Sequence, residues 1–200
     1  MIDSIKQKLE KLNPLKLTEY KKAGVFIGIL HYGEYLKDPE IIFTQRSSLV
    51  STHPGEVSFP GGKWEEGDID LYDTAVRESF EEINLDRDGI TKLGSLNFLI
   101  SRHKIEVHPY IGLINSQQNL IANEETEVIF SVPLSFLLNK ANVEYHEMDR
   151  NNLKIKIPSW VYNEHRIWGL TAMITADFLN TCLNAGIETD LDGIRNQYDN

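Results

Sequence analysis

Two hundred residues with 41% hydrophobic content suffice for one well-formed core, and the length fits one domain better than two. Thirty Asp and Glu against 20 Lys and Arg leave a formal charge of -10, which argues against a dominant nucleic-acid or anionic-membrane surface because phosphate backbones repel such a chain. Any phosphate-bearing ligand must then be met locally, by a metal or a few placed cations.

The single cysteine, Cys182, has no partner for an internal disulfide and reads as a small helix side chain, and no Cys/His spacing suggests zinc. A reducing compartment follows. The N-terminal M-I-D-S-I-K-Q-K-L-E-K-L lacks the apolar stretch of a secretory leader, no run is long enough to span a bilayer, and Q-Y-D-N at the end is no retention signal. The cytoplasm is the expected location.

In chain order, Asp3 or Ser4 caps a short helix with Ile5, Leu9 and Leu12 at helical spacing, stopped by Asn13-Pro14. This helix, within residues 1–20, is expected to dock on the core of a single domain spanning 1–200. Ala23 to His31 reads as a buried strand, and Glu40 to Gln45 as a second that delivers Arg46 and Ser47 at its end. Thr91 to Ile100 and the alternating Ile105 to Ile114 predict two strands joined by the polar Ser101 to Lys104. Val128 to Leu138 suits a strand or a short helix turning at Pro133, and Lys154 to Ile157 predicts a strand. Ile167 to Leu183 carries helical spacing, with Gly186 placed where that helix ends, and residues 187–200 read as a loose acidic tail. Elements alternate without regular βαβ spacing, so the expected class is α+β, a mixed sheet flanked by helices.

The most informative stretch runs from Phe59 to Leu85. Its paired glycines lead through an acidic loop into a helix carrying Arg77, Glu78, Glu81 and Glu82. At 100° per residue, Thr74, Glu78, Glu81 and Glu82 share an arc of roughly 80–100°, with Tyr72, Val76, Phe80 and Ile83 opposite and expected on the core. Like charges at these spacings cost a helix about 0.2–0.5 kcal/mol per pair, and only Arg77 is nearby to offset them. A solvated face is the plain reading of an isolated E-x-x-E-E. A hard divalent cation is the other, because Mg²⁺ takes a few carboxylate oxygens while keeping waters and sharing substrate phosphates. Gly61 and Gly62 let the backbone approach this face, bringing a carbonyl or amide beside the metal.

The stretch resembles the Nudix box, a glycine and a carboxylate followed by R-E-x-x-E-E-x-G and an apolar residue. Gly62, Asp68, Arg77, Glu78, Glu81, Glu82 and Leu85 match. Gly62 to Arg77 is one residue longer than the general pattern, and Asn84 replaces the glycine, although Asn tolerates left-handed geometry. The longer spacing is similar to that of the coenzyme A pyrophosphatase branch, which also carries L-T-x-R-S and then H-x-G-E-x-x-F-P-G-G. Here F-T-Q-R-S runs from Phe43 to Ser47 and H-P-G-E-V-S-F-P-G-G from His53 to Gly62, with Val50 where that branch often has a basic residue. Similarity continues through Val107 to Gly112, Val132 to Leu138 and Ile167 to Ala172.

The resemblance implies a Nudix-like α-β-α sandwich with a mixed, curved sheet. It implies Mg²⁺- or Mn²⁺-dependent hydrolysis of the diphosphate linkage of coenzyme A or acyl-coenzyme A, giving 3',5'-ADP and a 4'-phosphopantetheine. Another nucleoside diphosphate derivative (NADH, ADP-ribose), a nucleoside triphosphate, or a non-catalytic binding module are the alternatives. Glu78 and Glu82 are the expected metal ligands, with Glu81 a third ligand or base, and the Gly61 backbone an additional contact. Arg77 is expected to orient the glutamates, and Glu127 to serve as a catalytic base from a later loop. Substrate-binding candidates are Arg46, Ser47, His53, Gly55 and Glu56. Arg46 is a phosphate clamp or a surface arginine, His53 touches substrate or holds the turn, and Glu56 reaches the metal or bridges to Arg77. The implied partner is a coenzyme A-like nucleotide, with no nucleic acid or membrane, and the chain acts as a monomer or homodimer.

Overall fold

A computed structural model describes residues 1–31, 37–49, 54–150 and 153–191. The chain runs α1 (Ile2–Leu9), β1 (Lys21–Leu30), β2 (Glu40–Arg46), β3 (Val57–Ser58), β4 (Gly61–Lys63), α2 (Leu71–Ile83), β5 (Ile90–Ser95), β6 (Leu99–Ile100) and β7 (Ile105–Ile114). It continues through β8 (Thr126–Pro133), α3 (Leu134–Leu138), β9 (Glu144–Arg150), β10 (Leu153–Tyr162), β11 (His165–Ile167) and α4 (Gly169–Leu183). Val128 to Leu138 therefore forms both a strand and a short helix, joined at Pro133.

The uncharged run in β1 becomes the centre of a mixed sheet. It pairs in parallel with β7, Lys21 opposite Ile105 and Leu30 opposite Ile114, as befits two strands covered on both faces. The main order is β3-β2-β1-β7-β5, with β4 on β1, β6 on β7 and β8 on β2. Alternation along the strands sorts side chains to two cores. Ile27, Ile29, Ile41 and Phe43 meet Ile5 and Leu9 of α1 and Phe178 and Leu179 of α4. Phe26, Leu30 and Ile42 meet Ala75 and Ile83 of α2. Each such buried side chain contributes about 1.5–3 kcal/mol, so both layers are needed and the result is an α-β-α sandwich. A smaller sheet, β11-β10-β9, lies beside it, and its buried Trp160 donates Nε1–H to the Leu137 carbonyl at 3.2 Å.

Four local expectations are corrected. Ile167 belongs to β11, and α4 ends on left-handed Asn184 (φ 56°, ψ 39°) rather than at Gly186. Phe80 is exposed, because the buried side of α2 is Thr74, Ala75, Val76, Ser79, Glu82 and Ile83. Thr74 and Glu82 thus border the core rather than oppose it. Residues 187–191 are not loose: Ile187 and Leu191 are buried, and Asn180 exchanges two 2.8 Å hydrogen bonds with Ile187. The remainder of that tail, 192–200, lies outside the described residues, as do Val50 and His53.

Candidate active site

Helix α2 starts where Asp70, in extended geometry, accepts the Asp73 N–H at 2.7 Å, a side-chain cap of ordinary kind. It ends on Asn84 in the left-handed region (φ 55°, ψ 36°), so asparagine fills the place of a terminating glycine. The loop after β7 then takes the carbonyls left open at that end: Ile121 N–H donates to Ile83 O and Asn123 N–H to Glu82 O, both at 3.1 Å. This loop carries Glu125 toward the helix.

Close approach of α2 to the sheet depends on two facing glycines. Gly24 of β1 lies opposite Gly62 of β4. A Cβ at Gly24 would sit 2.2 Å from the Leu71 carbonyl oxygen, and one at Gly62 would sit 2.3 Å from the Glu78 carboxylate. Only glycine admits the helix so near the strand edge.

Arg77 is the hub of the acidic helix. Its Nε and Nη2 grip the two oxygens of Asp68 at 2.8 and 3.1 Å, in the fork geometry guanidinium favours. Nη2 also lies 3.1 Å from Glu78 Oε1, and Nη1 3.3 Å from Glu81. The hydrogen bonds from Arg77 hold the Asp68 carboxyl well below the usual carboxylate range, despite burial. Thr74 adds its hydroxyl to Asp68 at 2.8 Å. Arg77 thus contacts Glu78 and Glu81 while Asp68 fixes Arg77.

The three box glutamates have different surroundings. Glu82 is buried, accepts the Gly61 N–H at 3.1 Å and lies 3.6 Å from Arg46 Nη1. Burial pushes its carboxyl up to about 7, partly opposed by Gly61 and Arg46. Burial also raises half-buried Glu78, against the pull of Arg77. Glu81 points outward with its side chain about half exposed, is tied to Arg77, and does not line the cleft. The third-ligand position expected for Glu81 is therefore not formed here: its place on the helix turns it away from Gly62.

Arg46 and Ser47 converge with Gly55 and Glu56 on the same point. Arg46 N–H donates to Glu56 O at 3.0 Å, and left-handed Gly55 (φ 71°) returns its own N–H to Arg46 O at 3.1 Å. Arg46 Nη2 lies 3.3 Å from Glu125, while Ser47 N–H donates to the Glu125 carbonyl at 2.7 Å. Ser47 Oγ accepts the Leu49 N–H at 3.2 Å, so this serine shapes the turn and holds Glu125 rather than lining the cleft. Arg46 stands among the acids themselves.

These groups open on a cleft of about 570 Å³. Arg46, Glu56, Gly61, Gly62, Glu78, Glu82 and Glu125 line it together with Lys63, Arg102 and His103, so a few cations, Arg46, Lys63 and Arg102, are gathered where a phosphate ligand needs them. Glu127 is exposed on β8 and does not line it. The later-loop acid at the site is Glu125, placed by the turn and by Ser47. Sequence reasoning passed over Arg102 and His103 as a polar loop; an arginine and a histidine side by side between two strands were the available signal.

Among the described residues no three His, Cys, Asp or Glu side chains converge as a metal cage. Among the carboxylates of the cleft, Glu78 and Glu82 are both raised mainly by burial, and a methyl group at Gly62 would displace the Glu78 carboxylate. Mg²⁺ is commonly held by one or two carboxylates with waters and substrate phosphates, so this donor set fits a hydrated ion of that kind.

The layered fold and the acidic cleft define a class of protein, and the comparisons with known proteins agree. A family model described as NUDIX domain matches residues 30–149, and the chain belongs to the Nudix hydrolase family. It is 39% identical over 161 residues to "Nudix hydrolase 15, mitochondrial" of Arabidopsis thaliana, covering 77% of this chain and 56% of that protein. Identity is 36% over 137 residues to "Uncharacterized Nudix hydrolase NudL" of Photorhabdus laumondii, covering 68% and 73% respectively. It is 37% over 142 residues to "Mitochondrial coenzyme A diphosphatase NUDT8" of Mus musculus, covering 68% of each. The chain thus spans little more than half of the Arabidopsis relative. A MutT/nudix family protein from Enterococcus faecalis shares the fold, with a TM-score of 0.51 at 13% identity over 88% of this chain and 65% of that one. No helix among the described residues is long and apolar enough to cross a membrane.

Proposed function

We propose that the chain hydrolyses the diphosphate linkage of coenzyme A or acyl-coenzyme A in the presence of Mg²⁺ or Mn²⁺, with the cytoplasm as its compartment. Water adds across the P–O–P bridge, leaving 3',5'-ADP and a 4'-phosphopantetheine. The observation that carries this reading is the junction at Arg46, where Arg46 and Glu56 meet Glu82 and Glu125 in one cleft. The substrate name borne by the mouse relative supports it.

The chain's own residues act as follows. Glu78 and Glu82 would hold a divalent ion in the cleft. That ion, when bound, neutralises charge at the bridging phosphates and lowers the pKa of the attacking water. Arg77, fixed by Asp68, keeps Glu78 turned inward, and the Gly61 N–H fixes one oxygen of Glu82. Lys63, Arg102 and His103 meet the outer phosphate oxygens, which little covalent help from the protein then needs to follow. Arg46 keeps Glu82 and Glu125 together, and Glu125 is the acid positioned to accept the proton of the attacking water.

Incubation with coenzyme A and Mg²⁺, beside NADH, ADP-ribose and nucleoside triphosphates, tests the assignment. Release of 3',5'-ADP as the fastest reaction is expected. Faster turnover of any other member of that panel overturns the choice of substrate.

A further inference from the structure

We propose that the apolar wall of the cleft, formed by Met148, Ile155, Ile157, Trp168, Leu170 and Met173, binds the acyl chain carried at the end of the substrate's pantetheine arm and sets its chain-length preference. This rests on the coenzyme A reading above and assigns residues outside the Nudix box and outside the Arg46 to Gly62 stretch.

All six residues line the same cavity as Glu78 and Glu82. They come from β9, β10, the β11–α4 junction and α4, so four parts of the chain distant from the box meet there. The wall has a firm base and a loose mouth. Ile155, Ile157 and Met173 are buried, whereas Met148 and Trp168 remain 44% and 41% exposed. Large apolar groups left uncovered beside a polar site mark a place where a ligand completes the burial.

The chemistry of the wall selects among the arms a diphosphate can carry. None of the six side chains ionises, and the hydroxyl of Thr171, which also lines this end, is already donated to the Val57 carbonyl at 3.0 Å. Of the six side chains only Trp168 offers a hydrogen-bond donor, its indole N–H, so a nucleobase or nicotinamide finds few of the partners its edges require. The acyl chain of the substrate asks only for apolar contact, whereas the amides and hydroxyl of the pantetheine need polar partners elsewhere in the cleft. Two methionines suit chains of differing length, because the unbranched thioether side chain adapts its shape. The charged groups of the cleft, Arg46, Lys63, Glu78, Glu82 and Glu125, stand on the elements that meet the diphosphate. Substrate polarity and cleft polarity thus run in the same direction.

The test compares free coenzyme A with acetyl-, butyryl-, octanoyl- and lauroyl-coenzyme A in the wild type and in the Trp168→Ala, Trp168→Phe and Met148→Ser variants. Both positions are exposed, which keeps the variants folded. Wild-type kcat/KM should rise with chain length through KM, by roughly four-fold per methylene buried until the wall is filled. In Trp168→Ala and Met148→Ser the ratio of kcat/KM for octanoyl-coenzyme A to that for coenzyme A should fall at least about ten-fold, with Trp168→Phe retaining most of it. An unchanged ratio in both variants, with coenzyme A still hydrolysed, overturns the wall assignment and leaves the proposed function standing. No hydrolysis of coenzyme A by the wild type overturns both.

Discussion

The two ends of the cleft are built by opposite means. At the carboxylate end, side chains are fixed by charge-assisted hydrogen bonds: Asp68 on Arg77, Arg77 on Glu78, Gly61 on Glu82, Arg46 between Glu82 and Glu125. At the apolar end nothing is fixed by hydrogen bonds from the wall side chains; Met148 and Trp168 stand half-exposed on a buried base. Geometry is specified at the end proposed to carry the reaction, and adaptability is kept at the end proposed to hold the acyl chain. Damage to the first end should therefore appear in kcat, and damage to the second in KM.

The sharpest break in that comparison lies within one helix turn. Glu82→Gln removes the buried carboxylate and should lower kcat by about 10²–10³-fold, the scale on which one group stabilising reaction charge acts. Glu81→Gln, beside it but facing outward, should cost about 5-fold or less, as expected for one exposed ion pair. Equal losses in the two variants, measured by steady-state release of 3',5'-ADP, would show that Glu81 turns inward during the reaction. Asp68→Asn comes next. It touches no substrate in this account, yet it unfastens Arg77, and a 10–100-fold fall in kcat with little change in KM is expected.

The smallest effect is on stability against pH. The Glu82 carboxyl, ordinarily near 4.5, is pushed up to about 7 by burial. Between those values the folded chain keeps a proton that the unfolded chain releases. The stabilisation is fully present below about 4.5 and is lost as pH rises through about 7. Without divalent metal, Tm measured by differential scanning calorimetry should therefore fall by a few degrees between about pH 5 and about pH 8 more steeply in the wild type than in Glu82→Gln. Identical slopes would place Glu82 in a wetter setting than the one described.

How much of this was legible in the residues follows the same division. The carboxylate end is coded locally: Asp68 to Glu82 is one loop and one helix, so spacing alone brought Arg77, Glu78 and Glu82 forward, and Asn84 was read correctly as the helix end. Periodicity misassigned Phe80 because a strand edge at Gly24 and Gly62, not the apolar side chains, decides which face of α2 turns inward. That Glu125 rather than Glu127 lines the cleft depends on a contact, from Ser47 N–H to the Glu125 carbonyl, that joins residues far apart in the chain. The apolar wall was invisible for that reason too, since Met148, Ile155 and Trp168 meet only when the smaller sheet and α4 close on the larger one. The docking of Ile187 and Leu191 depends on Asn180 in α4, which acidic composition conceals.

Binding of Mn²⁺, followed by electron paramagnetic resonance, tests the central claim directly, because it asks whether Glu78, Glu82 and the Gly62 edge hold the ion before any substrate is present. Glu78→Gln and Gly62→Ala, the latter driving a methyl group into the Glu78 carboxylate, should each weaken binding at least about ten-fold, while Glu127→Gln binds as the wild type does. Wild-type affinity in Glu78→Gln and Gly62→Ala would contradict the account.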